Sequence, residues 1–157
     1  MATITIKNIE RLTKKLNKIA NIDLKNKMSQ ATAVVHAQAK LLAPNDTGNL
    51  AGSIHMEVKE GKNNIEGRVF TNLSYAPYVE FGTGSKGSGT YPYKIKNLKL
   101  SYRSTPWVYS PDGGESFYFT HGQVAQPYMY PSLKNNEKYI KGLFKDGTKD
   151  AIRKSCK

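Results

Sequence analysis

From Leu24 to Leu42 the apolar residues return at helical spacing: Leu24, Met28, Ala31, Val35 and Leu42, with Val34 and Leu41 beside the stripe. Such a repeat marks one face of an α-helix. Pro44 closes the run, because the residue before a proline is pushed out of the α region. A helix of about 20 residues is roughly 30 Å long, which is long for a chain of 157 residues. Lys25, Lys27, His36 and Lys40 fall on its opposite face. A shorter periodic segment precedes it, with Ile9, Leu12, Leu16 and Ile19 in register and Asn8 placed to cap it. Asn21 and Asp23 predict an interruption between the two, with Asp23 as N-cap of the longer helix.

After Pro44 the period changes. The stretch "APNDTGNLAGSI" reads as a turn, because Pro, Asn, Asp and Gly each supply a turn conformation. Then Ile54, Met56 and Val58 alternate with His55, Glu57 and Lys59, the pattern of a half-buried strand. "GKNN" is a hairpin connection, and "IEGRVFTN" is the partner strand, with Ile65, Gly67 and Val69 on one face.

From Gly82 to Gly114 the chain is rich in Gly, Ser, Pro and Tyr, and no acid lies between Phe81 and Asp112. Residues 84–114 are too long for a plain connector, so they predict a functional or mobile basic arm. "YPYKIKNLKLSY" within it could form a short β-arm, and "ESFYFTHG" reads as a strand. A last helix over 131–154 is expected to open near Pro131. Leu133, Ile140, Leu143, Phe144 and Ile152 form its stripe, and Lys134, Lys138, Lys141, Lys145 and Lys149 run along another face. The expected fold is α+β: a long N-terminal helical part (1–42), a small antiparallel sheet with an extended loop or β-arm, and a C-terminal helix, in a single domain over 1–157.

The chemical motifs are sparse. Gly82, Gly84 and Gly87 spell G-x-G-x-x-G, yet Ser88, Gly89, Thr90, Tyr91 and Pro92 open no helix, and the expected ribose-binding acid is missing. Lys86 precedes Gly87 instead of following it, so there is no Walker loop. His36, His55 and His121 sit in three separate elements without metal-ligand spacing. Ser85 lacks the nucleophile-elbow glycines. Neither a metal, a cofactor nor a catalytic set is expected. The single cysteine, Cys156, excludes a disulfide framework. The N-terminus lacks a secretory h-region and no run is long enough to span a bilayer, so the expectation is a protein made in a cytoplasm, without membrane contact.

Net charge is +12. That balance favours an acidic partner or nucleic acid. Tyr91, Tyr93, Tyr102, Trp107 and Tyr109 interleave with lysines and Arg103, as in single-strand binding surfaces. A basic nucleic-acid-binding module is therefore one reading of the chain.

Three stretches support another. "APNDTGNLAGSI" carries Pro44, Asp46, Thr47, Gly48, Leu50 and Ser53; "YAPYVEFGTG" carries Tyr75, Ala76, Tyr78, Val79, Glu80, Phe81, Gly82 and Thr83; "AQPYMYPSL" carries Pro127, Tyr128, Met129, Pro131 and Ser132. In order and spacing they resemble the tail-component, or head–tail joining, proteins of tailed bacteriophages. Tyr128 and Ser132 stand where Phe and Ala are commoner in that family, and the 84–110 segment looks longer and more basic. The resemblance implies a non-enzymatic virion part made in the host bacterial cytoplasm. It implies a homo-oligomeric ring, six or twelve copies, in the neck between portal complex and tail tube. Neighbouring neck and tail proteins are its implied partners, with non-specific contact to the viral genome also open. Under that reading Tyr75, Tyr78, Glu80, Phe81, Gly82, Lys86, Lys94 and Arg103 are the candidate subunit or partner interface. Glu80 is offered as an ion-pair partner for Lys86, Lys94 or Arg103 of a neighbour, so Glu80→Lys should block joining and leave the fold intact. Asp46, Thr47, Gly48, Pro127 and Pro131 are expected as structural turn and helix-start residues. The 84–110 arm is expected to order when the chain joins the neck.

Overall fold

A computed structural model of the chain describes residues 9–46, 48–61 and 64–155, with side chains described from Leu24 to Asp146, apart from the gaps, and at Lys149 and Arg153. The elements run α1 (Ile9–Leu42), α2 (Asn49–Gly52), β1 (Ile54–Glu60), β2 (Ile65–Thr71), α3 (Ala76–Phe81), α4 (Gly84–Gly87), β3 (Trp107–Tyr109), β4 (Tyr118–Thr120) and α5 (Met129–Ser155). This is the α+β arrangement the sequence predicts. β1 pairs with β2 and β3 with β4, as separate two-stranded sheets. A short connection permits only an antiparallel β1–β2 pair. The β3–β4 register sets Trp107 opposite Thr120, Val108 opposite Phe119 and Tyr109 opposite Tyr118.

Several local expectations change. α1 is one helix of 34 residues, without the break expected at Asn21–Asp23. Asn and Asp cost less than about 1 kcal/mol each in a helix interior, so two of them do not stop it. Asp23 is therefore no N-cap, and Asn8 lies outside the described residues. Within "APNDTGNLAGSI" the turn gives way at once to α2, whose N-cap Gly48 is left-handed at φ 75. Met56 is exposed despite its in-phase position in β1. "YPYKIKNLKLSY" forms no strand. Asn97 takes φ 66 and Pro92 brings no N–H, so neither supports a ladder. The hairpin of this region is β3–β4 instead. α5 opens at Met129, two residues before Pro131, and Leu133 is exposed.

The chain divides into two compact units. The first comprises Met1–His36, Met56–Val69 and Asn135–Lys157. In it Ala31, Thr32 and Val35 are buried on α1, and the Thr32 hydroxyl donates to the Met28 carbonyl at 2.7 Å. Gly67 of β2 lies against that face. A Cβ there would overlap Thr32 Oγ1 and come within 3.0 Å of Met28 Sδ. Small residues on both elements bring strand and helix backbones together. Gly67→Ala should therefore destabilise the protein by about 1–3 kcal/mol through overpacking. Gly52→Ala, with nothing within 4 Å of the added atom, should be neutral or stabilising. Urea unfolding of the two variants checks this pair.

The second unit comprises Ala37–His55 and Phe70–Lys134. Its buried residues include Ala39, Ala43, Leu50, Ile54, Ala76 and Tyr128, with Glu80 and Ser132 as buried polar groups. Ala39 carries the α1 seam here, while Leu41 and Leu42 remain outside it. All of the candidate interface residues belong to this unit.

Candidate functional site

α3 is short, and the proline at its start sets the entry of the chain. Its role shows in the glutamate near its end. Glu80 is 5% exposed. Its Oε2 accepts hydrogen bonds from the backbone N–H groups of Tyr128 and Met129, both at 2.8 Å, and its Oε1 from Tyr130 at 3.1 Å. These are the donors that the first turn of α5 leaves unsatisfied. The next residue, Pro131, has no N–H to satisfy. One carboxylate and one proline thus complete the helix start, and the carboxylate charge also faces the positive end of the helix dipole. Glu80 and Pro131 are placed by α3 and α5 for that purpose.

Glu80 is consequently occupied inside the unit instead of presenting its charge to Lys86, Lys94 or Arg103. Glu80→Lys would set an ammonium against three N–H donors, so the fold itself would suffer.

A ladder of rings continues from this cap. Phe81 meets Tyr91 at 5.0 Å, Tyr91 meets Tyr93 at 5.6 Å, and Tyr93 meets Tyr130 at 4.9 Å between centroids. The Tyr91 hydroxyl approaches Glu80 Oε1 at 3.5 Å. Burial, and then the nearby Glu80 charge, raises the Tyr91 phenol well above its ordinary range. The same causes push Tyr128, 1% exposed, up to about 12. A raised folded-state pKa gives stability that is complete below the unfolded value near 10 and is lost as pH rises toward 12. Between pH 9 and 11.5 the wild type should therefore lose more stability than Tyr128→Phe, which removes that titration. Denaturant midpoints at the two pH values read the difference.

The G-x-G-x-x-G stretch has a steric explanation. Thr83 and Gln123 form an antiparallel bridge, N–H to carbonyl at 2.9 and 3.1 Å. Gln123 Nε2 donates to the Tyr78 carbonyl at 3.0 Å, and Gln126 N–H to the Val79 carbonyl at 2.9 Å. Two backbones touch here without side chains between them. Gly82 sits at φ 76, ψ 172, and a Cβ on it would lie 2.8 Å from Ala125 N and 2.9 Å from the Gln123 carbonyl. Gly84, Gly87 and Gly122 meet the same crossing from its other sides. The glycines serve chain-to-chain approach.

Beside the crossing lies an open groove of about 970 Å³. Tyr75, Tyr78, Tyr102, Arg103, Trp107 and Tyr109 line most of its side-chain wall. Tyr102 is fixed by its hydroxyl, which donates to the Phe81 carbonyl at 3.0 Å. Arg103 lies 5.5 Å over the Trp107 ring, a cation–π distance, and its Nε donates to Thr105 Oγ1 at 3.1 Å. Tyr75 and Tyr78 are exposed, at 41% and 58%.

The structure thus divides the expected interface set. Tyr75, Tyr78 and Arg103 share the groove, with Gly82 in its floor. Lys86 is exposed in α4 and Lys94 in the irregular segment. Phe81 is half-buried in the ring ladder, and Glu80 is the internal cap. Asp46 is exposed, Thr47 lies outside the described residues, and Pro127 is half-buried. Sequence reasoning missed Gln123, Gly122 and the Thr90 hydroxyl, which accepts from the Ala125 N–H at 2.9 Å. Only the paired glycines at 82–87 and 122 signalled that crossing. Among the described residues no group of three His, Cys, Asp or Glu could hold a metal, and no helix is long and apolar enough to cross a membrane.

Residues 5–82 match the protein family described as "Bacteriophage HK97-gp10, putative tail-component". Over that stretch the chain is similar to the HK97-gp10-like tail-component family. The match takes in α1, the β1–β2 hairpin and α3 through the capping Glu80. The groove wall from Ser101 onward and the capped helix α5 lie beyond it. No curated protein and no solved structure matches the chain.

Proposed function

We propose that this tail component forms a homo-oligomeric ring in the neck of a tailed phage, joining the portal complex of the head to the tail. The family match over residues 5–82 carries the reading. The second and third motif stretches add to it, because they meet at one point: Glu80 of one caps the helix opened by the other. The exposed aromatic groove supplies a surface of the kind that dominates protein interfaces, rich in Tyr and Trp with one Arg. Tyr75, Tyr78, Lys86, Lys94 and Arg103 are the contacting residues in this reading, and Phe81 and Gly82 hold them in place. The product is a structural part of the virion without catalytic activity. Cryo-electron microscopy of particles carrying this gene tests the proposal. Ring density fitted by this chain between portal complex and tail tube is the expected result. Its absence from the neck would overturn the neck role.

The irregular segment bears on the assembly step. Its start is tied through Tyr91 and Tyr93 to the ring ladder, and its end through Tyr102 to Phe81. Between those ties Lys94, Lys96, Leu98, Lys99 and Leu100 are exposed. In this reading the part from Lys94 to Ser101 orders fully on joining the neck. Amide exchange of the free chain should show little protection there; full protection would refute it.

A second reading, weak contact with the viral genome, draws on those same lysines. Binding of that type loses affinity steeply with added salt.

A further inference from the structure

The β3–β4 hairpin is an unusual piece of surface. Its strands have three residues each, and a two-stranded hairpin is marginal by itself. One face, Trp107, Tyr109 and Thr120, lines the groove of its own chain. On the other face Val108 and Phe119 are cross-strand neighbours, exposed at 57% and 66%. Phe117 beside them is the more exposed still. Single exposed apolar residues need no explanation, but a contiguous set on a small hairpin marks a contact surface.

Charge supplies the other half of the argument. Between Gly82 and Lys134 the only acids are Asp112 and Glu115, and both sit in the hairpin turn. Asp112 accepts hydrogen bonds from the Ser110 hydroxyl at 2.6 Å and the Ser116 N–H at 2.9 Å. Those bonds hold its carboxyl well below the usual carboxylate range, so the turn stays negative. The groove wall carries Arg103 and no acid. In sequence, exposed Lys86 lies two residues after the groove-lining Gly84 and exposed Lys99 two residues before the groove-lining Ser101. One unit therefore presents an apolar projection with an acidic tip and an aromatic groove that carries an arginine and no acid.

We infer that the groove receives the β3–β4 hairpin of a second copy of this chain. The contact is heterologous: hairpin on one copy, groove on the next. Repetition closes a ring or extends a filament, according to the rotation per step. Val108, Phe117 and Phe119 enter against Tyr75 and Tyr78, and Asp112 and Glu115 reach Arg103. A single nucleic-acid strand fits the site less well, because stacking needs free rings. Tyr91 and Tyr93 are spent in the internal ladder, and Trp107 is covered by Arg103. The inference deepens the homo-oligomeric part of the proposed function and rests on it.

The test uses the full chain with a benzoylphenylalanine photocrosslinker at position 119, in equal mixture with isotopically labelled copies. Peptide mapping should find mixed-isotope crosslinks from position 119 to residues 75–84 or 101–109. Asp112→Lys combined with Glu115→Lys should lower their yield about tenfold, as like-charge contacts do. Arg103→Glu should do the same, and all three changes together should restore yield. Crosslinks to another surface of the second copy, crosslinks only within one copy, or no restoration would each refute the contact. The same chain crosslinked inside particles separates the two levels. A product with a different virion protein or with DNA would refute the second-copy occupant and leave the virion role standing. Particles lacking the chain would refute the virion role, while a mapped solution contact would stand.

Discussion

Replacing Glu80 with alanine should lower the unfolding free energy by about 3–5 kcal/mol, the scale for removing one partner from a buried charged hydrogen-bond set. The side chain is 5% exposed and accepts from three backbone N–H groups. Alanine leaves three donors at a helix start without that acceptor, the Tyr128 N–H buried and the other two part-buried, and each unsatisfied buried donor costs about 1–3 kcal/mol, though not additively. Glu80→Gln keeps the shape and one acceptor oxygen, but it loses the charge and turns an NH2 toward donors. It should fall between the wild type and alanine. For a chain of this size the alanine effect corresponds to a drop in Tm of about 10 °C or more. Urea unfolding followed by the fluorescence of the single tryptophan, Trp107, reads it directly. Glu115→Ala, at an exposed turn position, should stay within about 0.5 kcal/mol of the wild type. If Glu80→Ala were equally mild, the cap would not be holding α5 to α3.

The second large effect belongs to Gly82. Gly82→Ala should destabilise the protein by about 3 kcal/mol or more, since a φ, ψ pair open essentially to glycine alone costs on the order of 1–3 kcal/mol before any clash. Its backbone angles, φ 76 and ψ 172, fall in that region. The clash then adds to it, because the new Cβ would meet Ala125 N, the Gln123 carbonyl and Gly87 Cα within 3.0 Å. All three are backbone, so no rotamer change relieves the overlap. Gly89 provides the comparison. It has nearly the same φ, +75, but nothing within 4 Å. Gly89→Ala should cost about 1 kcal/mol, the scale of the left-handed penalty alone. Denaturation curves of the two variants separate conformational strain from close approach; equal losses would mean that the Thr83–Gln123 crossing is loose.

The elements with a strong period were legible. The stripe through Met28, Ala31 and Val35 gave α1, and Pro44 marked its end. Alternation from Ile54 placed β1, and the β-rich run after Glu115 placed β4. What failed were weak local signals. Asn21 and Asp23 looked like a break, yet their helix penalty is small against 34 residues of continuous hydrogen bonding. Ile95, Leu98 and Leu100 hinted at a strand, but Asn97 turns left-handed in the middle of it. Tyr91 and Tyr93 read as stacking platforms, although they stack on each other and on Phe81 and Tyr130.

The candidate site divides along the same line. Sequence alone determined the α+β class, the basic acid-free segment, and the likeness to phage tail components, which the family match supports over residues 5–82. It singled out Tyr75, Tyr78 and Arg103 by residue type, but that the three line one groove came from the fold. Only the tertiary structure decided what Glu80 does. Its partners are 48–50 positions away, and no local pattern reports where a buried carboxylate will find donors. The G-x-G-x-x-G stretch was ambiguous for the same reason. A glycine records that something comes close, and only the fold shows that the close neighbour is the backbone at Gln123 and not a phosphate.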